Sequence, residues 1–352
     1  MKALLIGGTG VISKAISRRL LLEGHELWLI NRGNRMDDLP EGAHLICADI
    51  NDEISVARAL GGQTFDVVAD FIAFVPEQLE RDHRLFAGKT KQFIYISSAS
   101  AYQKPLSDFR IDERTPLANP FWQYSRDKIR GEELLMRYYR EEGFPITIVR
   151  PSHTYNEEKI PVCLHGPKGS WQAVKRMLEG KPVIIPGDGS SLWTVTWNDD
   201  FAKGFIGLMG NIHAIGEAVQ ITGDEVLTWN QIHRVIADAL GVEFRPYYVS
   251  SDFLISCSPE KWDLRGNLWG DKSNTVFFDN AKLKRLVPDF KPVVRFDQGV
   301  RRALDHIRSH PECQVPDPEF DSWCDRVIEA QEEALAKLRQ QETAGNSRDI
   351  WQ

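Results

Sequence analysis

Cysteine is scarce in this chain, and long apolar runs, internal repeats and an excess of basic charge are missing. Cys47, Cys163, Cys257, Cys313 and Cys324 are the only cysteines among 352 residues. No two stand at metal-ligand spacing, and an odd, scattered set fits a reducing compartment better than a disulfide framework. No metal is expected. The opening Met1-Lys2-Ala3-Leu4-Leu5-Ile6 is too short for a bilayer span or a signal peptide and carries no cleavage-like region. No membrane association is expected, and the location expected is the cytoplasm. The net charge of -7 argues against the broad basic face of a general nucleic-acid binder, so no nucleic-acid partner is expected. With 42% hydrophobic and 26% charged residues, the chain has the composition of an ordinary globular protein able to bury a substantial core.

The first half alternates short apolar runs with amphipathic stretches. Strands are expected at Ala3 to Ile6, Glu26 to Asn31, Ala43 to Cys47, Phe65 to Ala69, Gln92 to Ile96 and Ile146 to Val149. Helical spacing of Ile12, Ile16 and Leu20 predicts a helix from Val11 to Glu23, closed by Gly24. Further helices are expected at Pro76 to Phe86 and Phe121 to Glu142. Repeated strand–helix–strand units with nearly all-apolar strands imply an α/β fold, a Rossmann-type doubly wound parallel sheet. Residues 1–150 read as the dinucleotide-binding domain. After Arg150-Pro151 the rhythm loosens, and residues 151–312 read as a smaller substrate-binding lobe, with the chain free to cross back to the sheet. Its helices are expected at Trp171–Glu179, Asp199–Met209, Trp229–Leu240 and Gln298–His310; Thr228 and Gln231 form a capping box for the third. Residues 313–352 read as a C-terminal helical tail, with a helical pattern from Phe320 to about Gln341.

Two fragments carry chemistry. Gly7-Gly8-Thr9-Gly10 lies between a strand and a helix, the context that makes a glycine turn a pyrophosphate cradle. Gly7 permits the tight turn, and Gly10 leaves room for the anion where a Cβ would collide. Ser13 takes the third glycine position. Asn31 ends the second strand where an NAD site places an acid for the ribose 2′-hydroxyl. Its neighbours Arg32 and Arg35 suit a 2′-phosphate through forked hydrogen bonds, or are simply solvated loop residues. NADP is therefore favoured over NAD, which stays open. Asp49 and Ile50 follow the third strand, where an adenine edge is met; a helix N-cap is the competing role for Asp49.

The second fragment is Tyr124-Ser125-Arg126-Asp127-Lys128. Four residues apart on a helix, Tyr124 and Lys128 project from one face. A phenol with a pKa near 10 is a poor base at neutral pH, and a neighbouring ammonium lowers it. Tyr124 could then take a proton from a hydroxyl whose carbon gives up a hydride, while Lys128 also holds the nicotinamide ribose. Ser98, at the end of the fifth strand, would steady the same oxygen.

Together these residues resemble the extended short-chain dehydrogenase/reductase superfamily, in its NAD-dependent epimerase/dehydratase branch. The resemblance runs from Met1 to about His310. It includes Val11-Ile12 after the glycines, Asp49-Ile50, Ile96-Ser97-Ser98-Ala99-Ser100-Ala101-Tyr102, Tyr124 with Lys128, Arg150-Pro151, Gly187-Asp188-Gly189, and Trp197-Asn198-Asp199-Asp200-Phe201-Ala202. It implies catalytic roles for Ser98, Tyr124 and Lys128 and places Pro151 beside the nicotinamide. It also implies a homodimer through paired helices, with Arg137, Tyr138 and Tyr139 as interface candidates.

Departures from the family narrow the activity. Dehydratases carry acids just after the active-site hydroxyl, where this chain has Ala99-Ser100-Ala101. Trp193 stands where nucleotide-sugar enzymes place an arginine, either stacking on a sugar or merely packing. Asp70-Phe71-Ile72-Ala73-Phe74 is bulkier than usual beside the nicotinamide ribose. Asp70, Ser100, His153 and Trp193 are candidate substrate contacts, and Tyr155 and His165 candidate pocket residues. The expected function is an NAD(P)-dependent oxidoreductase of the epimerase/dehydratase type, acting on a sugar or related polyhydroxylated small molecule as an epimerase. An NADPH-dependent carbonyl reductase or dehydrogenase is the alternative. A non-catalytic RNA- or cofactor-binding relative, of the kind found among chloroplast stem-loop-binding proteins, is a third.

Overall fold

Ala3 to Ile6 are all sealed from solvent, as a strand covered on both faces requires, and Lys2–Ile6 forms β1. The structure, a computed structural model, describes residues 1–33 and 39–346. The chain continues through α1 (Val11–Leu22), β2 (Glu26–Asn31), β3 (His44–Cys47), α2 (Glu53–Leu60), β4 (Val67–Asp70), α3 (Pro76–Phe86) and β5 (Phe93–Ile96). A short β6 (Arg110–Ile111) precedes the long α4 (Gln123–Glu142) and β7 (Ile146–Pro151). Gly143, at φ +70°, ends α4 in the left-handed region that glycine enters at little cost.

The lobe holds β8 (His153–Tyr155), α5 (Trp171–Leu178), β9 (Val183–Pro186), β10 (Leu192–Trp193) and β11 (Val195–Trp197). Next come α6 (Asn198–Leu208), β12 (Ala218–Ile221), β13 (Leu227–Thr228), α7 (Trp229–Leu240) and β14 (Pro246–Val249). After α8 (Ser251–Cys257) and α9 (Leu264–Asn267), a π-helical turn runs from Leu268 to Lys272. The remainder is β15 (Phe277–Phe278), α10 (Ala281–Leu286), α11 (Phe296–Ser309) and α12 (Pro318–Asn346).

The main sheet has the order β12-β7-β5-β4-β1-β2-β3. Every pairing in it is parallel. The order reverses beside β1, so a crevice opens at the carboxyl ends of β1 and β4, where doubly wound sheets bind ligands. One face is covered by α1 and α6, with Ile16, Leu20, Phe201 and Phe205 in the shared core. The other is covered by α2, α3 and α4 through Val56, Leu79, Phe86 and Leu135. The chain crosses back to the sheet: β12 pairs with β7, although it lies well past residue 150. The lobe has its own core, where Trp193, Trp229, Phe296 and the start of α12 (Phe320, Trp323) meet. No helix among the described residues is long and apolar enough to cross a membrane.

Candidate active site

The glycine turn is built tightly from within and left open on one side. Gly7 sits at φ +83°, and a Cβ there would stand 2.5 Å from the Ile72 side chain. Ser13, in the third glycine position, closes the turn: the Gly10 N–H donates to its Oγ (2.9 Å), and that Oγ donates to the Gly7 carbonyl (2.7 Å). A Cβ on Gly10 would meet no protein atom nearer than Ser13 Oγ at 3.5 Å. The protein alone does not demand glycine there, as expected if the space belongs to a phosphate. At the end of β2 the Asn31 Oδ1 accepts from the Gly33 N–H (2.9 Å). Asn31 Nδ2 is buried with no partner among the described residues. Both features fit a dinucleotide laid across the carboxyl ends of β1 and β2. Arg32 is exposed, and Arg35 lies outside the described residues. Asp49 Oδ1 accepts from the backbone and side-chain amides of Asn51, while Asp52 caps α2. The N-cap role considered for Asp49 therefore falls to Asp52.

From this turn a cavity of about 340 Å³ runs along Val11, Ile12, Phe74 and Lys128 to Tyr124. A second cavity of about 300 Å³ opens into the lobe, lined by Ser100, Trp122, His165, Trp193, Asp271 and Lys272. Ser98, Tyr124, Pro151, Ser152 and His153 line both. The two spaces meet at the groups that sequence reasoning assigned to proton transfer.

Tyr124 and Lys128 share one face of α4. The Lys128 ammonium lies 5.7 Å from the centre of the Tyr124 ring and also faces the rings of Phe74 and Tyr95, each at 4.9 Å. It donates to the carbonyls of Ala73 (2.7 Å) and Ile96 (2.8 Å). Burial lowers its pKa to about 8, with Asp70 and Glu132 opposing. The Tyr124 phenol departs from the expectation of a lowered pKa. Burial pushes it up, and a hydrogen bond with Ser98 pulls it back only partly. The physical reason is that the ammonium hydrogens point at backbone carbonyls, while the ring is flanked by Trp122 (4.9 Å) and Phe74 (6.4 Å).

Hydroxyls continue behind Ser98. Its Oγ lies 2.9 Å from Ser100 Oγ, which accepts from Ser125 Oγ (2.8 Å). Ser100 therefore stands within hydrogen-bonding reach of the Ser98 hydroxyl as well as on the lobe-side cavity. Beneath it Glu132 binds Arg150 through both oxygens (2.6 and 2.9 Å) and accepts from Ser97. This buried pair fixes α4 against β5 and β7.

On the lobe side, Trp193 is buried, stacks on Trp229 (5.3 Å) and points its Nε1 at His153 Nδ1 (3.4 Å). It lines the cavity and packs at once. Burial and the Lys272 charge hold His153 neutral, with its pKa lowered to about 3. His165 is lowered to about 4 by the same causes. Tyr155 instead packs edge-on against Trp197 and Phe296, outside both cavities.

Asp70 does not belong with the substrate contacts. It is 0% exposed. Its Oδ1 accepts from the Ile72 and Ala73 N–H groups, and Oδ2 pairs with Arg81 (3.2 Å). Arg81 also binds Asp82, whose carboxyl is pushed well up by burial and by Asp70 beside it. This buried cluster orders the turn after β4 and reaches neither cavity. Tyr138 stacks on His83 (3.9 Å) within the chain, which leaves Arg137 as the exposed member of the suggested interface set.

Sequence reasoning missed Asn119, Asp271 and Lys272. Asn119 Nδ2 donates to the carbonyls of both Ser100 and Gly270 (2.8 Å each), joining the segment after β5 to the π-helical turn. The available signal was a charged pair directly after the apolar, glycine-containing Leu268-Trp269-Gly270.

The family model for the NAD dependent epimerase/dehydratase family matches residues 3–222. The chloroplast stem-loop binding protein of 41 kDa b of Arabidopsis thaliana is 28% identical over 253 residues, covering 68% of this chain and 63% of that protein, just under two thirds of its length. The 2'-dehydrokanamycin reductase of Streptomyces kanamyceticus is 24% identical over 294 residues, covering 83% of this chain and 80% of that protein. Among solved structures, UDP-glucuronic acid 4-epimerase from Bacillus cereus in complex with NAD superposes with a TM-score of 0.68 at 21% identity, covering 89% of this chain and 98% of that one. At that identity the likeness speaks for the fold.

Proposed function

Because the chain belongs to the NAD-dependent epimerase/dehydratase family, we propose that it is an epimerase acting by transient oxidation of a hydroxyl-bearing carbon in a sugar or related polyhydroxylated substrate. The observation that carries this reading is the meeting of the two cavities at Ser98, Tyr124, Pro151, Ser152 and His153. Gly7, Gly10 and the first turn of α1 would hold the pyrophosphate, Asn31 and Arg32 the adenosine ribose, and Lys128 and Pro151 the nicotinamide end. A bound nicotinamide supplies the hydride acceptor and donor.

As the phenolate, which the Lys128 ammonium and the positive charge of a bound oxidised nicotinamide would favour against the burial that raises its pKa, Tyr124 would take the proton from the substrate hydroxyl at its phenol oxygen and later return it. Ser98 donates to the same substrate oxygen and stabilises the charge that develops there. Ser100 and Ser125 orient the Ser98 hydroxyl behind it. Lys128, with its ammonium fixed by two carbonyls, keeps a positive charge beside the phenol. Tyr124→Phe should lower turnover by about 10²- to 10⁴-fold while cofactor affinity holds. Near-normal turnover in that variant refutes the assignment.

Net reduction is the second reading, favoured by the relative named as a reductase. An epimerase leaves the nicotinamide absorbance unchanged over many turnovers; a reductase consumes it. The stem-loop-binding relative keeps RNA in view, but the assembled Ser98–Tyr124–Lys128 geometry supports an enzyme. Tight, salt-sensitive RNA retention without redox chemistry would reverse that preference. Asn31 and Arg32, with no acid at the end of β2, support NADP over NAD, which paired dissociation constants test. All five cysteines are free, in keeping with a reducing cytoplasm. A homodimer through paired helices, α4 among them, is the expected assembly, checked by light scattering.

A further inference from the structure

The lobe-side cavity contains a cation that the proton-transfer scheme leaves unused. Lys272 lines this cavity and is only 6% exposed. Its ammonium makes no hydrogen bond or ion pair among the described residues. Burial pushes its pKa down, and Asp271 opposes that. A largely buried charge with no protein partner, open only to the cavity, is costly, and a group of opposite sign on a ligand lowers that cost.

The position of this ammonium is set by the surrounding structure. Lys272 ends the π-helical turn, a conformation that recurs at functional sites. Its carbonyl accepts from Trp229 Nε1 (2.9 Å), and Asn119 ties Gly270 to Ser100. Gly266 and Gly270 let Trp122 lie directly on the turn: a Cβ on Gly266 would fall 2.1 Å from Trp122 Cδ1, and one on Gly270 would fall 3.0 Å from Trp122 Cβ. The Trp122 ring in turn lies against that of Tyr124. The turn is thereby held at a fixed offset from the phenol.

The cavity is also polarised. The Asp271 charge is felt at Tyr124, and the Lys272 charge at His153 and His165. Both imidazoles are neutral, so they offer hydrogen bonds without adding charge. A volume of about 300 Å³ suits a monosaccharide-sized ligand.

Resting on the sugar oxidoreduction proposed above, the geometry points to a substrate that carries an acidic group, carboxylate or phosphate, seated on Lys272 while its reacting hydroxyl faces Tyr124 and Ser98. Asp271 accepts from a neighbouring hydroxyl of the same ligand. The acid is then a specificity element: a neutral sugar leaves the ammonium unpaired and is rejected.

Calorimetric titration of the cofactor-loaded full chain with D-glucuronate, D-glucose 6-phosphate and D-glucose tests this, alongside UDP-glucuronate against UDP-glucose. The expected result is that an acidic sugar binds about tenfold to a hundredfold more tightly than its neutral counterpart. Which acid shows the gain decides between carboxylate and phosphate. Lys272→Met should remove the preference, and Lys272→Arg should keep part of it. With no native partner lost, Lys272→Met should not lower the Tm of the ligand-free protein. Equal binding of acidic and neutral sugars, no binding by any of them, or a preference that survives Lys272→Met overturns the proposal. Tyr124→Phe should keep the acid preference while losing turnover. A preference without redox chemistry in the wild type therefore sinks the oxidoreductase reading and spares the anion site.

Discussion

On the sheet side of the cleft, Lys128 donates to two carbonyls within three aromatic rings, and Glu132 and Arg150 hold each other through two hydrogen bonds. On the lobe side, lining the cavity that Tyr124 also lines, Lys272 has no such partner and Asp271 has no salt bridge among the described residues. Burial raises the Asp271 carboxyl to about 6. The sheet side is complete in itself, as suits a wall that must present the same geometry to one cofactor. The lobe side leaves charge unmatched, as suits a wall completed by substrate. Function in this fold lives in the site rather than in the architecture, and here the difference between two enzyme walls is written in which charges the protein satisfies alone.

Glu132→Ala is expected to produce the largest effect on stability. It strands Arg150 inside the protein and removes the acceptor for Ser97, a loss of about 3–5 kcal/mol measurable by urea unfolding. Lys272→Met, an equally buried charge deletion, should cost far less. Comparable losses in the two variants would erase the contrast between the walls.

Asn119→Ala comes next. Asn119 is 3% exposed and bridges the two walls, so its removal leaves the Ser100 and Gly270 carbonyls without this donor, at about 2 kcal/mol. The sharper readout is kinetic. Cofactor affinity should hold, because the glycine turn is untouched, while kcat falls as Ser100 and the π-helical turn lose their common register. A drop in cofactor affinity as large as the drop in kcat would mean that the walls are not separately built.

What the sequence disclosed follows the same division. The spacing of apolar residues placed β2, α3 and α7 at their observed bounds; the glycine turn was visible because the backbone at Gly7 demands glycine, and Tyr124 with Lys128 because a four-residue spacing puts both on one helix face. Asp70 was misread because its partner Arg81 lies eleven residues on, and a sequence shows a carboxylate without showing who neutralises it. The helix α2 escaped notice since it is short and exposes Ile54. The strand β12 carries a buried polar Gln220 that binds Tyr102, Ile111 and Asp279, so tertiary contacts override its weak pattern. The π-helical turn has no periodic signature at all, and with it Asp271 and Lys272 stayed hidden.

The smallest effect concerns the pH dependence of Lys128. In the unfolded chain a lysine titrates at about 10.4; in the folded protein burial brings Lys128 to about 8. Below about 8 both states are protonated, and the folded state bears the full desolvation cost. Between those values the unfolded chain still holds the proton that the folded chain has released, so stability rises with pH across that window. The Tm of the wild type should therefore climb relative to that of Lys128→Met between pH 8 and about 10 and run parallel to it below pH 7.5. Parallel curves over the whole range would show that the two carbonyls and three rings compensate the buried charge fully. The sheet wall would then be even more self-sufficient than its geometry indicates, and the contrast with Lys272 would sharpen.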